Sequence, residues 1–279
     1  MAAAPSLNRH HPLGVFDSGL GGLSVLREIR RMLPSEDVLY YADNAYCPYG
    51  LRDRREIQER TVLISELLIG LGAKAIVVAC NTASAMAIDH LREAFPEIAF
   101  IGLEPAVKPA AKLTRTGKVG VLATPRTVAG ERLRWLIETH ANGVEVRTVA
   151  ATGLVELVEA GVLSGTEVTA TLRPLLDPML EAGVDVVVLG CTHYPFLRRA
   201  IEAYVGDGVR VTDSGVAIAR RTLAVLGQLD LVRDGELAGS LRLMTSDDAA
   251  TVGPIARMLL TEEAPMASVP VGIAVADHR

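Results

Sequence analysis

The chain has 279 residues, 49% hydrophobic and 22% charged, which suits one large or two ordinary globular domains with a substantial core. No apolar run reaches the ~18–20 residues of a membrane span. A formal charge of −5 with no Lys/Arg cluster excludes a nucleic-acid-binding face, and three cysteines without framework spacing exclude a secreted disulfide scaffold.

A reducing, cytoplasmic setting is therefore expected. Residues 1–11 read as a flexible leader with no apolar signal region. Aromatic residues make up only 4% of the chain, so Ala, Val, Leu and Ile must build the core, as in α/β proteins with buried parallel strands. Apolar runs predict strands at 13–16, 38–42, 75–79, 99–103, 118–123, 144–150, 184–190 and 208–213. Amphipathic stretches between them predict helices at 22–32, 53–71, 83–94, 106–113, 127–140, 168–182, 195–204 and 215–227. The segment RLMTSDDAATVGPIARMLLT (242–261) adds a strand, a Ser-Asp turn and a helix. The end, from residue 262, has no clear periodicity. The charged stretches LREIRR and LRDRREIQER are expected to be solvated helix faces.

The alternation predicts an α/β fold with parallel sheets. An internal repeat refines it. LGVFDSG (13–19) matches VGVLATP (119–125), VVACNTASA (77–85) matches VVLGCTHYP (187–195), and FIGLEPAVKPAAKL (100–113) matches VRVTDSGVAIARRTL (209–223). Two similar lobes related by pseudo-two-fold symmetry follow, with a cleft between them. The first lobe is expected to be discontinuous, 1–102 plus 213–279, and the second to be 103–212.

The repeat places Cys80 and Cys191 at equivalent strand ends, where ligands collect in open α/β sheets. Asn81, Thr82 or Ser84 can cap one following helix and Thr192 the other. Exposed N–H groups at a helix start attract an anion and lower a thiol pKa. Two thiols facing each other across a cleft suit proton exchange at a carbon stereocentre, one removing a proton as thiolate and the other delivering one to the opposite face. Buried core cysteines are the bland alternative. No CxxC or HxxxH supplies a metal site, and thioredoxin-type dithiols are adjacent in sequence. GLGGLS (19–24) lacks the dinucleotide fingerprint, and no lysine invites a pyridoxal Schiff base. Neither a metal nor a cofactor is expected. Cys47 has no repeat partner and is at best a neighbour of the site.

Together, GVFDSGLGGLSVL, YYADNAYCPYG, VVACNTASA and VLGCTHYPFL resemble the signature segments of bacterial glutamate racemases, and the resemblance spans about residues 12–260 in order. It implies a cofactor-independent isomerase that makes D-glutamate for peptidoglycan. It makes Cys80 and Cys191 the two acid/bases, Cys80 acting on D-glutamate and Cys191 on L-glutamate. It places Asp17 and Ser18 beside the first thiol and substrate, Tyr49 and Gly50 in a loop closing over the substrate, and Asn81, Thr82, Thr192 and His193 around its carboxylates and ammonium. His193 would assist Cys191. Glu159, in a poorly matching LVEAG, resembles a family glutamate near the second thiol, and an exposed helix-surface residue is the competing reading. Asp43 and Ser84 are more distant supports. The resemblance also implies a homodimer, and a DNA gyrase partner can coexist with catalysis. The competing readings are a racemase of another acidic amino acid, such as aspartate, and a two-lobed amino-acid-binding or interaction protein.

Overall fold

The computed structural model describes residues 7–235, 237–262 and 264–272. In chain order its elements are β1 (Leu13–Asp17), α1 (Leu23–Met32), β2 (Val38–Ala42), α2 (Arg54–Gly70), β3 (Ala75–Val78), α3 (Asn81–Ala94), β4 (Ala99–Gly102), α4 (Val107–Leu113), β5 (Lys118–Ala123), α5 (Pro125–Val128) and α6 (Glu131–His140). There follow β6 (Glu145–Ala150), α7 (Leu154–Glu159), α8 (Thr166–Glu181), β7 (Val186–Leu189), α9 (Arg198–Val205), β8 (Arg210–Thr212), α10 (Gly215–Gln228), β9 (Leu241–Thr245), α11 (Ala249–Leu260) and β10 (Met266–Ser268).

Two parallel sheets organise these elements. One has the order β10-β9-β2-β1-β3-β4, the other β6-β5-β7-β8. The run β2-β1-β3-β4 and the whole of β6-β5-β7-β8 share one winding, and the register repeats as well. Phe16 pairs with Val78, and Leu122 with Leu189. Just beyond, Ala79 donates its N–H to Phe16 O at 2.7 Å and Gly190 donates to Leu122 O at 2.7 Å. Cys80 and Cys191 are each the next residue. The central strands β1, β3 and β7 are buried along their whole length, as sheets covered on both faces require. The edge strand β6 instead alternates between exposed and half-buried residues.

The chain after β8 returns to the larger sheet. α10 packs on α1 and against β4, while β9 and β10 extend the sheet beyond β2. Among the described residues no helix is long and apolar enough to cross a membrane.

Several expectations need correction. The helix expected at 127–140 is two helices, because Thr124 caps α5 with Pro125 at its first position and Gly130 then turns the chain into α6. The helix expected at 195–204 opens as a 3₁₀ turn over Tyr194–Leu197, and α9 begins only at Arg198. The tail, read as aperiodic, supplies β10 as a parallel edge strand, and residues 273–279 of it lie outside the described residues. Of the leader, residues 1–6 lie outside the described residues, but 7–11 are anchored. Lys74 Nζ donates to Arg9 O at 2.8 Å, and Arg9 pairs with Asp230.

Candidate active site

Both cysteine sulfurs open onto one small cavity between the lobes. Its walls come from Ser18, Pro48, Tyr49, Gly50, Cys80, Asn81, Thr82, Thr124, Val155, Cys191, Thr192 and His193. Cys80 and Cys191 are 5% and 6% exposed, so each thiol is almost withdrawn from solvent. The cavity measures about 10 Å³, at the threshold for one water molecule.

Cys80 caps α3 itself. Its sulfur accepts from Ala83 N at 3.5 Å, so the capping role expected of Asn81, Thr82 or Ser84 falls to the thiol. Ser84 turns inward, donating to Val78 O at 3.0 Å and accepting from Leu103 N at 2.8 Å. The helix start does not lower this thiol's pKa. Burial, reinforced by the charge of Asp17, pushes it well above the ordinary range and outweighs the Ala83 N–H.

Asp17, at the end of β1, ties the halves of the site together. Its carboxylate accepts from Ser18 N at 2.7 Å, Gly22 N at 2.5 Å and Thr192 Oγ1 at 3.2 Å. Burial raises the Asp17 pKa, against the opposing pull of His193, the Cys80 thiol and the Ser18 and Gly22 N–H groups. Ser18 Oγ lies 3.8 Å from Cys80 Sγ. Thr192 bonds Asp17 and caps no helix, since the turn that follows has no side-chain cap.

The second thiol has a different partner. Cys191 Sγ lies 3.6 Å from His193 Nδ1, and His193 Nε2 lies 2.6 Å from Glu159 Oε1. Burial alone would lower the imidazole pKa, but the bonds to Cys191, Cys47 and Glu159 prevail and raise it well above the usual value. Glu159 is the last residue of α7, and its side chain is 18% exposed. The exposed-surface reading of Glu159 is therefore corrected. It also accepts from Leu20 N at 2.7 Å and Asn44 Nδ2 at 2.8 Å. The Gly19–Gly22 run makes room for this cluster. A methyl group at Gly19 would overlap Glu159 and Cys47, and one at Gly21 would overlap the His193 ring.

Tyr49 and Gly50 sit on the cavity wall. The Tyr49 hydroxyl donates to Asp43 Oδ2 at 2.5 Å, and Asp43 is paired at 2.7 Å with Arg60, both fully buried. Arg60 also stacks on the Tyr46 ring, 3.8 Å from its centre. Asp43 thus supports the loop from behind. Asn81 Nδ2 is buried and has no hydrogen-bond partner among the described residues, an arrangement that buried amides avoid unless a ligand completes them. Thr82 Oγ1 meets Thr124 Oγ1 at 3.0 Å across the cleft.

The residues named from sequence therefore converge on one cavity or directly behind it. Sequence reasoning missed Thr124, Pro48 and Val155. Thr124 had a signal, because the repeat aligns it with Ser18. Val155 had none, since it lies on a short helix that was not foreseen.

The fold and site define an acid–base cleft with two opposed thiols, and comparisons with known proteins agree on its class. Residues 13–222 match the model of the family Asp/Glu/Hydantoin racemase. The chain is 47% identical to a glutamate racemase of Herpetosiphon aurantiacus, over 91% of this chain and all of that one. It is 48% identical to one of Deinococcus radiodurans, over 96% and 93%. Among solved structures it is similar to the Francisella tularensis glutamate racemase in complex with D-glutamate (TM-score 0.82, 28% identity, 94% and 97% covered). It is likewise similar to the Escherichia coli enzyme in complex with L-glutamate and the activator UDP-MurNAc-ala (TM-score 0.82, 34% identity, 94% and 100% covered). This chain belongs to the glutamate racemase family, and it is an amino-acid racemase, an isomerase.

Proposed function

We propose that the chain interconverts L- and D-glutamate by two-thiol proton transfer at Cα, without a cofactor. The observation that carries this reading is the convergence of Cys80 and Cys191 on one cavity, from equivalent strand ends of two repeated lobes. In the L-to-D direction Cys191 takes the Cα proton as thiolate, and Cys80 delivers its own proton to the opposite face. Each thiol then holds the other's starting state, and the reverse reaction exchanges their roles. His193, held cationic by Glu159, faces Cys191 and stabilises the thiolate. Asp17, linked to Ser18, keeps the proton on Cys80 and accepts the substrate ammonium.

Asn81, Thr82, Thr192 and His193 grip the carboxylates and ammonium, and the unpartnered amide of Asn81 supplies one donor. Such preorganised donors stabilise the carbanion-like state. Tyr49 and Gly50 close the cavity. Its volume of about 10 Å³ does not admit a dicarboxylic amino acid, so the lobes separate for substrate entry. The division that permits this is 1–102 plus 213–279 against 103–212. D-glutamate production for peptidoglycan, a cytoplasmic location and a homodimeric state complete the proposal.

Incubation with L-glutamate in D2O tests it. A racemase yields D-glutamate carrying deuterium at Cα, whereas a binding protein yields none. Faster turnover of aspartate than of glutamate would reassign the substrate.

A further inference from the structure

One thiol beside the site takes no proton from the substrate in this reaction. Cys47 lies in the loop after β2, half-buried, with its sulfur 3.7 Å from Glu159 Oε1. Its thiol is pushed up to about 12, chiefly by burial. Ligand atoms of Cys47, Glu159 and His193 lie within 4.8 Å of one another. These residues come from three separate segments, and Gly19 leaves the space in which they meet. They offer a thiolate, an imidazole and a carboxylate, the donor types that bind Zn²⁺. A tetrahedral Zn²⁺ with bonds of about 2.0–2.3 Å sets its ligands roughly 3.3–3.6 Å apart. The Cys47–Glu159 separation, 3.7 Å, lies just beyond that range. The His193–Glu159 pair, at 2.6 Å, must open by less than about 1 Å.

A path to Cys47 and Glu159 exists through a second cavity, whose lining includes neither reacting thiol. A cavity of about 250 Å³ is lined by Asn44, Cys47, Glu156, Glu159 and Asp247, among others. Three carboxylates on its otherwise largely apolar wall attract a divalent cation.

We propose that Cys47, His193 and Glu159 form an inhibitory Zn²⁺ site entered through this cavity, with water as the fourth ligand. Binding expels the Cys47 thiol proton and the His193 Nε2 proton to solvent and forms Zn–S, Zn–N and Zn–O bonds. Nothing is oxidised or reduced. The metal takes the imidazole nitrogen that Glu159 holds and shifts the ring out of the Cys191–His193–Glu159 alignment, so racemisation stops. The binding half stands on geometry alone, while the inhibitory half rests on the proposed role of His193.

Co²⁺, as a coloured substitute for Zn²⁺, separates the two. The full chain should take up one Co²⁺ with a thiolate-to-cobalt absorption band, and Zn²⁺ should displace it and abolish racemisation. Cys47→Ser should lose the band and bind Zn²⁺ at least about 100-fold more weakly, and its metal-free racemisation, whatever its level, should no longer fall when Zn²⁺ is added. Cys80→Ser and Cys191→Ser should keep the band. A band that survives Cys47→Ser, or vanishes in either of the other variants, puts the metal on the reacting thiols and overturns the site. So does the absence of any band. Zn²⁺ bound at Cys47 with racemisation undiminished overturns the inhibitory half and the role of His193, while leaving the site. Should Cys47→Ser not fold, alkylation of the unaltered chain decides the matter. Zn²⁺ must protect Cys47, and protection of Cys80 or Cys191 alone refutes the proposal.

Discussion

The two cysteine loops start from the same backbone and end in different chemistry. Up to Ala79 and Gly190 they share strand order, register and even the hydrogen bond that precedes the thiol. Beyond that point Cys80 enters a full helix and caps it with its own sulfur, next to a carboxylate system. Cys191 enters a 3₁₀ turn and faces an imidazole backed by a glutamate. A repeated fold thus supplies symmetric positions for two opposed groups and surrounds them with unlike neighbours. A two-base racemase requires the opposed positions, and the charge on one thiol then disfavours ionisation of its mate, leaving one proton between them.

The equivalence of the two positions is broken most directly at the sulfurs. Cys80→Ser and Cys191→Ser should each lower kcat/KM by about 10²–10⁴-fold or more. The double variant should be scarcely worse than either single one, because groups acting as a unit do not contribute additively. Full activity in either single variant would refute the mechanism. A quantity that should stay symmetric sharpens the comparison. L- and D-glutamate are enantiomers, so the equilibrium constant is one, and kcat/KM must fall equally in both directions whichever thiol is impaired. Asymmetry can appear only in kcat and KM separately, or in isotope effects.

The neighbours come next. Glu159→Gln removes a charged hydrogen bond worth about 1.5–3 kcal/mol, so racemisation should slow by about 10–100-fold. The His193 titration followed by NMR should move down towards the ordinary imidazole range, since Glu159 helps raise it. A raised folded-state pKa stabilises the fold fully below the unfolded imidazole value, ~6.5, and loses that contribution as pH rises through the folded value. Glu159→Gln should therefore destabilise the chain most at mildly acidic pH and least at alkaline pH. Equal destabilisation at every pH would mean that the pair carries no net charge interaction. On the other side, Asp17→Asn removes a charge that helps hold the Cys80 thiol up. Cys80 should then ionise at lower pH, measured by its alkylation rate, even as racemisation falls. An unchanged or higher ionisation pH would place Asp17 outside the electrostatics of that thiol.

How far the sequence discloses this contrast depends on element length and burial. Strands β2 and β5 are readable to the residue because buried parallel strands form unbroken apolar runs. The repeat survives in sequence because sheet cores and strand-end turns tolerate few residue types. α7 is not readable, since its six residues complete fewer than two turns and no period can emerge. Glu159 was therefore reached only through family resemblance. β10 has three residues on a sheet edge, with two of them exposed, and offers no apolar alternation. The caps were misassigned for a chemical reason. Propensity favours Asn, Ser and Thr at a helix start, but here the thiol occupies the cap and the hydroxyls point to the cleft or to the strand below.

The smallest expected effect lies at Ser18 and Thr124, the aligned residues of the two lobes that carry no proton in the reaction. Ser18 Oγ stays within its own lobe, bonding Asp17 at 3.3 Å beside Cys80. Thr124 Oγ1 reaches across to Thr82 at 3.0 Å while also capping α5 through Thr127 N at 3.3 Å. Each hydrogen bond is worth about 0.5–1.5 kcal/mol, which sets both effects at roughly 2–10-fold. They should fall on different constants. Ser18→Ala loosens Asp17 next to a reacting thiol, so kcat should carry the loss. On the proposed separation of the lobes, Thr124→Val removes a bond present only in the closed form, so closure becomes less favourable and KM for glutamate should rise with kcat little changed. Steady-state kinetics on the two variants distinguish these outcomes, and a kcat loss at Thr124 equal to that at Ser18 would make the bridging hydroxyl part of the acid–base machinery, not a latch.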